Sequence, residues 1–333
     1  MKKIMLILAL CAISAAASQL KSDEFVLFIP SIAYDLDNES IAAEVKAYVY
    51  EKERLLGVTS AFAALLDIDM DALSEAEKKR LYERSALFRI DYESGKEFFI
   101  KFEDGAVQKM PKTKDGKSDM SVKLKKPANY KINFQVHVPK YPINAAKGFA
   151  LYAENEGISA VFDIDDTIKN SNVLDKKALL ANTFLNKYES VEGIQKIFEY
   201  VRNLRADAYH YVSGSPVQLY PALQDFFHEN NIPNGTFHLR DTTDLGDFMP
   251  SKEATIKHKK DNIEKFFNVY PKRKFILVGD SGENDPEIYA DLQRKYPDKI
   301  LLIIIHDLEN SNGTSPRLKE SFQGIDNNKL MFF

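Results

Sequence analysis

Three polar clusters in the second half of the sequence each follow a run of apolar residues. The first places carboxylates at Asp163, Asp165 and Asp166, the second is the hydroxyl-rich segment 213–216, and the third is the Gly- and Asp-rich segment 279–285. Crowded carboxylates repel one another, and a hard divalent cation such as Mg²⁺ commonly offsets that repulsion. Backbone amides and a Ser hydroxyl at a turn can bind a phosphate. The hypothesis is metal-assisted phosphate chemistry, but each cluster by itself is also ordinary turn or helix-cap sequence.

The elements that must position these clusters alternate between apolar runs and helical patterns. The apolar runs are 158–162, 208–212, 275–278 and 300–305, and the helical patterns cover about 176–200, 217–230 and 253–269. Continuous apolar runs predict parallel strands buried on both faces, in a doubly wound α/β domain. Because ligands bind beyond the carboxyl ends of such strands, we expect the clusters to meet at one edge of the sheet.

The first half of the chain has shorter and alternating patterns. Apolar residues alternate or cluster at 45–50, 86–90, 98–102 and 132–138. Alternation indicates strands with one buried and one solvated face. A capping box at residues 74–77 opens a helical insertion among them. We therefore predict a mainly antiparallel β-sandwich domain at 18–140, followed by the α/β domain at 141–333.

The first 17 residues have the features of a secretory signal peptide. Lys2 and Lys3 precede an apolar run of 10 residues, and three alanines come before Ser18. Ten apolar residues are too few for a membrane span, which takes roughly 20, and no later run is longer than six. We expect an exported chain without a transmembrane helix, periplasmic or extracellular and able to associate with a membrane. The alternative is a lipoprotein attached at Cys11.

Composition and charge exclude several classes of protein. The 333 residues are 44% hydrophobic and 28% charged, as in ordinary globular domains, and the net charge of −4 lacks the basic footprint of a nucleic-acid-binding protein. The six His residues have no zinc-site spacing, and the single Cys leaves with the signal peptide. The segment 109–131, however, has eight Lys against two Asp, which favours either a solvated surface or a peripheral contact with an anionic membrane.

The order of the clusters is similar to that of a known superfamily. DIDDT, a strand-terminal Ser, a Lys and GDSGEND resemble the haloacid dehalogenase superfamily of phosphotransferases. The segments 210–227, 235–241 and 258–289 resemble the Mg²⁺-dependent phosphatidate phosphatases of the actin-patch-protein type, and roughly 155–307 is similar throughout. The resemblance implies a Rossmann-like catalytic domain that hydrolyses phosphatidate, or a related lipid phosphate, to diacylglycerol and phosphate.

The resemblance also implies the catalytic residues. Asp163 would be the nucleophile that forms an aspartyl-phosphate, and Asp165 would be the general acid for the leaving oxygen and then the base for water. Ser213 would bind a phosphate oxygen. Lys259 would neutralise phosphate charge, although Lys252, Lys257 and Lys260 lie close to it in the sequence.

The metal site follows from the same resemblance. Mg²⁺ would be held by Asp163, the backbone carbonyl of Asp165, and Asp280, with Asp285 in or near the coordination shell. No other cofactor is implied. Asp166 and Thr167 are expected to shape the loop rather than to react.

Two positions depart from the family's pattern. Val217 stands where a Trp is frequent, and His306 stands where an Arg is usual, so the substrate is less well defined than the reaction. Two alternatives therefore stay open. One is a phosphatase acting on soluble phosphomonoesters, and the other is a non-catalytic lipid- or surface-binding protein on a phosphatase scaffold.

Overall fold

The computed structural model describes residues 20–51, 63–64, 67–88, 90–137, 146–241 and 251–333. Contacts divide the chain into two compact units. The first comprises Met1–Arg54 with Ile90–Tyr152, and the second comprises Leu55–Arg89 with Ala153–Phe333. The predicted signal peptide at 1–17 lies outside the described residues.

The first unit is a mainly antiparallel sheet of nine strands, as the alternating pattern predicted. They are β1 (Glu24–Ile29), β2 (Ser31–Asp35), β3 (Ser40–Glu51), β4 (Asp91–Tyr92), β5 (Phe99–Phe102), β6 (Val107–Lys109), β7 (Lys117–Lys125), β8 (Lys131–His137) and β9 (Lys147–Tyr152). The long strand β3 pairs with β1 and β2 on one edge and with β4 and β7 on the other. All nine strands therefore belong to one hydrogen-bonded network, in which β2 and β9 are a parallel pair.

Alternate side chains of these strands form the core of the first unit. In β8, Ile132, Phe134 and Val136 are buried, whereas Lys131 and Gln135 are exposed. The Phe134 ring packs edge-on against Phe28, with 5.1 Å between ring centroids. The period of two in the sequence thus predicts correctly which face of β8 is buried.

The second unit contains a six-stranded parallel sheet with the strand order β12-β11-β10-β13-β14-β15. The strands are β10 (Ile158–Phe162), β11 (Ala206–Pro216), β12 (Thr236–Arg240), β13 (Lys274–Asp280), β14 (Ile300–His306) and β15 (Leu330–Phe332). The helices are α1 (Glu75–Arg84), α2 (Lys176–Phe184), α3 (Ile194–Asn203), α4 (Tyr220–Glu229), α5 (Lys252–Val269), α6 (Asp285–Lys295) and α7 (Pro316–Ser321). This confirms the predicted doubly wound α/β layout.

The division of the chain differs from the predicted boundary at residue 140 in two places. Strand β9 pairs with β8 and β2, so the first unit ends at Tyr152. Helix α1 belongs to the second unit, where Arg84 donates hydrogen bonds to the carbonyls of Thr183 (3.0 Å) and Asn186 (2.7 Å). Local patterns specify an element but not the sheet or helix against which it packs.

Two local predictions are wrong. The apolar residues at 86–90 do not form a strand, because Ala86–Phe88 is a single 3₁₀ turn that follows the C-cap of α1. The helical pattern at 176–200 is two helices, because α2 ends at Phe184 and α3 begins only at Ile194, after Gly193 in a left-handed conformation (φ 83°). A short apolar run fits a strand or a tight turn equally well.

The buried guanidinium of Arg273 forms hydrogen bonds with β10 and with the segment that precedes it. It donates to Ser159 Oγ (3.0 Å) and to the carbonyl oxygens of Glu154 (2.8 Å) and Glu156 (2.9 Å), and it pairs with Asp207. The Arg273 residue is only 1% exposed. Because these contacts lie at the amino ends of the strands, we expect them to support the sheet rather than the chemistry.

We predict that Arg273→Leu lowers the free energy of unfolding by about 3 kcal/mol, since it removes a buried cation together with its hydrogen bonds to Ser159 and to two partly buried carbonyl groups. Urea denaturation measures the change. The control is Lys272→Leu, because the Lys272 side chain is 66% exposed and its partner Glu156 is exposed as well. The control should shift stability by less than about 0.5 kcal/mol, and equal effects of the two substitutions would contradict the prediction.

Candidate active site

The three polar clusters meet at the carboxyl edge of the parallel sheet, as predicted. Strand β10 lies between β11 and β13, and Asp163 directly follows β10. Ser213 lies near the end of β11, and Asp280 is the last residue of β13. All three residues are buried. Side chains from three separate parts of the sequence therefore share one site.

Asp163 is held in place through its backbone and both carboxylate oxygens. Its amide donates to the Val278 carbonyl (2.9 Å), and Thr167 Oγ1 donates to its Oδ2 (3.3 Å). The Lys259 Nζ lies 2.9 Å from Asp163 Oδ1. This contact has the distance of an ion pair without hydrogen-bond geometry, and Oδ1 accepts no hydrogen bond among the described residues. The Asp163 Oδ1 atom is therefore held by an ion pair with Lys259 rather than by a hydrogen bond.

The ammonium group of Lys259 is surrounded by carboxylates. Besides Asp163, it contacts Glu283 (2.9 Å) and Asp285 (2.6 Å). Burial lowers the pKa of Lys259, but the nearby carboxylates raise it by a larger amount, so the pKa of Lys259 lies well above its usual range. For Asp163, burial raises the pKa above its usual range and Lys259 offsets this only in part. Lys259 is thus the member of the lysine cluster that contacts Asp163, Glu283 and Asp285.

Three carboxylates of the site could hold a metal ion. Oxygen atoms of Asp163, Asp280 and Glu283 all lie within 4.8 Å of one another. The Oδ1 atom of Asp280 accepts from the amides of Gly282 (2.6 Å) and Glu283 (3.0 Å), whereas its buried Oδ2 has no hydrogen-bond partner among the described residues. Buried oxygens without donors fit a hard divalent cation, which takes oxygen ligands.

Only two of the predicted metal ligands, Asp163 and Asp280, belong to this group of three carboxylates. The third member is Glu283, which the sequence analysis did not single out. The Asp285 carboxylate instead pairs with Lys259 and accepts from the Asp280 amide (3.3 Å). The Asp165 side chain contacts Lys169 and Ser171 instead of this group of carboxylates. The signal for Glu283 was available, since it lies within the GDSGEND motif.

Asp165 is surrounded by cationic and hydroxyl donors. Its Oδ1 lies 2.9 Å from Lys169 Nζ and accepts from Ser171 Oγ (2.6 Å). Its Oδ2 accepts from Ser215 Oγ (2.6 Å) and from Ser213 Oγ (3.2 Å). Burial raises the pKa of Asp165, but Lys169 and the hydroxyl donors more than offset this, so its pKa lies below the usual range.

The predicted loop-shaping role of Asp166 is confirmed. Its carboxylate accepts from the amides of Ser171 (2.6 Å), Asn172 (2.9 Å) and Val173 (2.6 Å), and its backbone is left-handed (φ 51°). His306, at the position that departs from the family's pattern, has its Nδ1 2.5 Å from the Asp166 carbonyl oxygen. The loop after β10 is thus held by its own residues and by β14.

A cleft of about 450 Å³ opens at Asp165, Ser215 and Glu283. Val173, Leu179 and Leu219 contribute apolar side chains to its lining. Lys252 and Arg317 contribute cationic ones. The cleft therefore combines a charged part with an apolar part, as a site for an ester of phosphate and an apolar alcohol requires.

Comparison with known proteins agrees with this geometry. Residues 158–307 match the family model described as the catalytic domain of the phosphatidate phosphatase APP1, and the residues from Asp163 to Asp285 fall within the match. We call the matched residues 158–307 the APP1-type domain. The APP1-type domain starts at the first residue of β10 and ends just after β14.

Two relatives are each similar to about half of this chain. The phosphatidate phosphatase APP1 of Saccharomyces cerevisiae is 32% identical over 185 residues, which are 54% of this chain and 31% of the relative. An uncharacterized protein of Schizosaccharomyces pombe is 34% identical over 159 residues, which are 46% of this chain and 26% of the relative. The chain therefore spans less than a third of either relative.

Sequence reasoning assigned no role to three further residues that contact Asp165. Lys169 and Ser171 contact it from the loop after β10, and Ser215 contacts it from β11. A lone Lys or Ser beside a turn has no distinguishing pattern, so the sequence offered no signal for Lys169 and Ser171, whereas Ser215 lies in the hydroxyl-rich segment 213–216. Their role depends on how the loop folds back on itself.

We predict that Asp166→Ala lowers the free energy of unfolding by about 2–4 kcal/mol, because it leaves amide groups of the loop without an acceptor. The control is Asp175→Ala, which removes an ordinary N-cap of α2 and should cost only about 1 kcal/mol. Urea denaturation compares the two variants. A smaller effect at Asp166 than at Asp175 would contradict the loop-shaping role.

Proposed function

We propose that this chain is a metal-dependent phosphomonoester hydrolase of the phosphatidate phosphatase type. The observation that carries the proposal is the buried Asp163 carboxylate beside Lys259, with an oxygen that accepts no hydrogen bond, in an APP1-type catalytic domain. A non-catalytic scaffold would not need to retain buried charges whose burial is costly. The intact set of Asp163, Asp165, Ser213, Lys259 and Asp280 supports an active enzyme.

In the proposed first step, an oxygen of Asp163 attacks the phosphorus and the bond from phosphorus to the ester oxygen breaks. Asp165 gives a proton to the departing oxygen, and Lys259 offsets charge on the phosphoryl group. The bound phosphate dianion adds a like charge beside Asp165, which favours the protonated carboxyl that this step requires. Ser213, whose hydroxyl lies at Asp165, is suited to hold a phosphate oxygen in the same place.

In the second step, Asp165 is the base. It takes a proton from water while the water oxygen attacks the phosphorus of the aspartyl-phosphate, and the carboxylate of Asp163 is released with inorganic phosphate. The donors around Asp165 hold it as a carboxylate in the free protein, which suits this second step.

A divalent cation, for which Mg²⁺ is our proposal, would be held by Asp163, Asp280 and Glu283. When bound, it would offset the repulsion between the carboxylates and the phosphate. The sequence-based ligand set included Asp285 in or near the shell, but the carboxylate oxygens that lie within 4.8 Å of one another belong to Asp163, Asp280 and Glu283, which favours Glu283 as the third carboxylate.

Phosphatidate or a related lipid phosphate is the substrate class that we propose. The apolar side chains at Val173, Leu179 and Leu219 support an ester with an apolar part. Among the described residues, no helix has the length and apolar character needed to cross a bilayer. Phosphate release from phosphatidate in detergent, compared with glycerol 3-phosphate, separates this proposal from a phosphatase of soluble esters.

Contact of the Lys-rich segment 109–131 with an anionic membrane stays a prediction. Five of its eight lysines lie within 3.7 Å of a carboxylate. The pairs are Lys109 and Lys112 with Glu97, Lys117 with Asp119, Lys123 with Asp37, and Lys126 with Asp35. These pairs make the surface less positive than the sequence count indicates, so they weaken the prediction.

We expect Asp163→Asn to reduce hydrolysis of phosphatidate below about 1% of the wild-type rate, because an amide does not form the acyl-phosphate. The variant should remain folded, since the change is isosteric and removes one of several like charges. Asp261→Asn is the control, as Asp261 lies on the surface of α5 and pairs with Lys257. An Asp163→Asn enzyme with most of the wild-type rate would exclude this nucleophile.

We expect a chelator to abolish activity and Mg²⁺ to restore it. Glu283→Gln should raise the Mg²⁺ concentration for half-maximal activity by roughly tenfold or more, because it weakens one ligand of the site. Glu264→Gln is the matched control, since Glu264 pairs with Lys295 away from the site. Activity that is insensitive to chelator would contradict the metal, and an unchanged Mg²⁺ response in Glu283→Gln would contradict the ligand.

A further inference from the structure

Lys169 is a buried cation that the proposed reaction does not yet use. It is 2% exposed and lies in the turn after β10. The turn is rigid, because the amides of Ile168 and Lys169 both donate to the Ile164 carbonyl (2.9 Å each) and the Lys169 carbonyl accepts from the Asp166 amide (2.7 Å). The backbone thus fixes the point from which the Lys169 side chain starts.

The Lys169 ammonium group is directed at Asp165. Nζ lies 2.9 Å from Asp165 Oδ1 and donates to Ser171 Oγ, and Ser171 in turn donates to the same Oδ1 (2.6 Å). Nζ also lies 4.9 Å from the centre of the buried Tyr188 ring. Since a buried cation costs more free energy than an apolar side chain of the same size, its retention here calls for a role beyond packing.

Only one side of the Asp165 carboxylate faces Lys169. Oδ1 is taken by Lys169 and Ser171, whereas Oδ2 lies with the hydroxyl groups of Ser213 and Ser215. Asp165 and Ser215 line the cleft, whereas Lys169 lies behind Asp165 and does not line it. Lys169 can therefore influence a bound ester through Asp165 without touching the ester itself.

We infer that Lys169 is a positioning residue: it fixes the Asp165 carboxyl so that one oxygen faces the cleft for proton transfer to and from the phosphoryl site. The inference rests on the proposed function, in which Asp165 protonates the leaving oxygen. If Lys169 has this role, the effect of replacing it must depend on the leaving group and must require Asp165. A purely structural role would instead change kcat/KM for all substrates by the same factor.

The test compares kcat/KM for two soluble esters, hexyl phosphate and p-nitrophenyl phosphate. This ratio reports the steps up to departure of the leaving group. An alkoxide needs a proton to leave and a nitrophenolate does not, so Lys169→Met should lower kcat/KM for hexyl phosphate about 10- to 100-fold more than for p-nitrophenyl phosphate. Lys169→Arg, which keeps the cation, should recover part of the loss. Lys295→Met removes an exposed ion pair and is the matched control, with no expected change.

A double-variant comparison tests whether Lys169 acts through Asp165. In an Asp165→Asn background, adding Lys169→Met should cause no further loss that depends on the leaving group. Circular dichroism and thermal unfolding establish that each variant is folded. If Lys169→Met does not fold, Lys169→Gln replaces it in both comparisons, because it keeps a hydrogen-bond donor without the charge.

The outcomes separate this inference from the proposed function. Equal losses with both esters, or a further selective loss in the Asp165→Asn background, would overturn the role of Lys169. A wild-type enzyme that hydrolyses neither ester nor phosphatidate would overturn the proposed function instead. A selective loss in Asp165→Asn without one in Lys169→Met would leave Asp165 as the acid and reject only its dependence on Lys169.

Discussion

The ion pairs of Lys259 hold together three carboxylates from two distant parts of the chain. Asp163 follows β10, Glu283 lies in the loop after β13, and Asp285 begins α6, yet all three reach the same buried ammonium group. Buried carboxylates are costly unless they are paired, so this contact constrains how α5 packs on the edge of the sheet. Asp280 adds a fourth carboxylate, so the carboxylates outnumber the ammonium group of Lys259, and the excess of negative charge suits a bound cation.

Close packing around this cluster requires small residues. A Cβ atom at Gly279 would overlap the Asp285 carboxylate, and one at Gly282 would lie 2.7 Å from the Leu308 side chain. Gly279 therefore allows the Asp285 carboxylate to approach the backbone of β13, and Gly282 leaves room for Leu308. The motif thus combines glycines that allow close packing with acidic side chains, whereas a simple Gly-rich turn needs only the glycines.

Each carboxylate of the loop after β10 contacts a different set of donors. Asp163 faces Lys259, Asp165 faces Lys169 and hydroxyl groups, and Asp166 accepts from three backbone amides of its own loop. Adjacent acidic residues thus avoid mutual repulsion because each has its own donors. The same arrangement gives three carboxylates within four positions of the chain three different environments.

The α/β class and the parallel strands β10, β11, β13 and β14 could be predicted from the sequence, because the period and length of apolar runs depend on local residue order. The meeting of Asp163, Ser213 and Asp280 at one edge of the sheet followed from the same pattern. The contacts of Glu283 with Asp163 and Asp280, of Asp285 with Lys259, and of Lys169 with Asp165 are visible only in the folded structure. It also decided the membership of β9 and α1 in their units. Such contacts depend on side-chain direction across loops, which no spacing along the chain specifies.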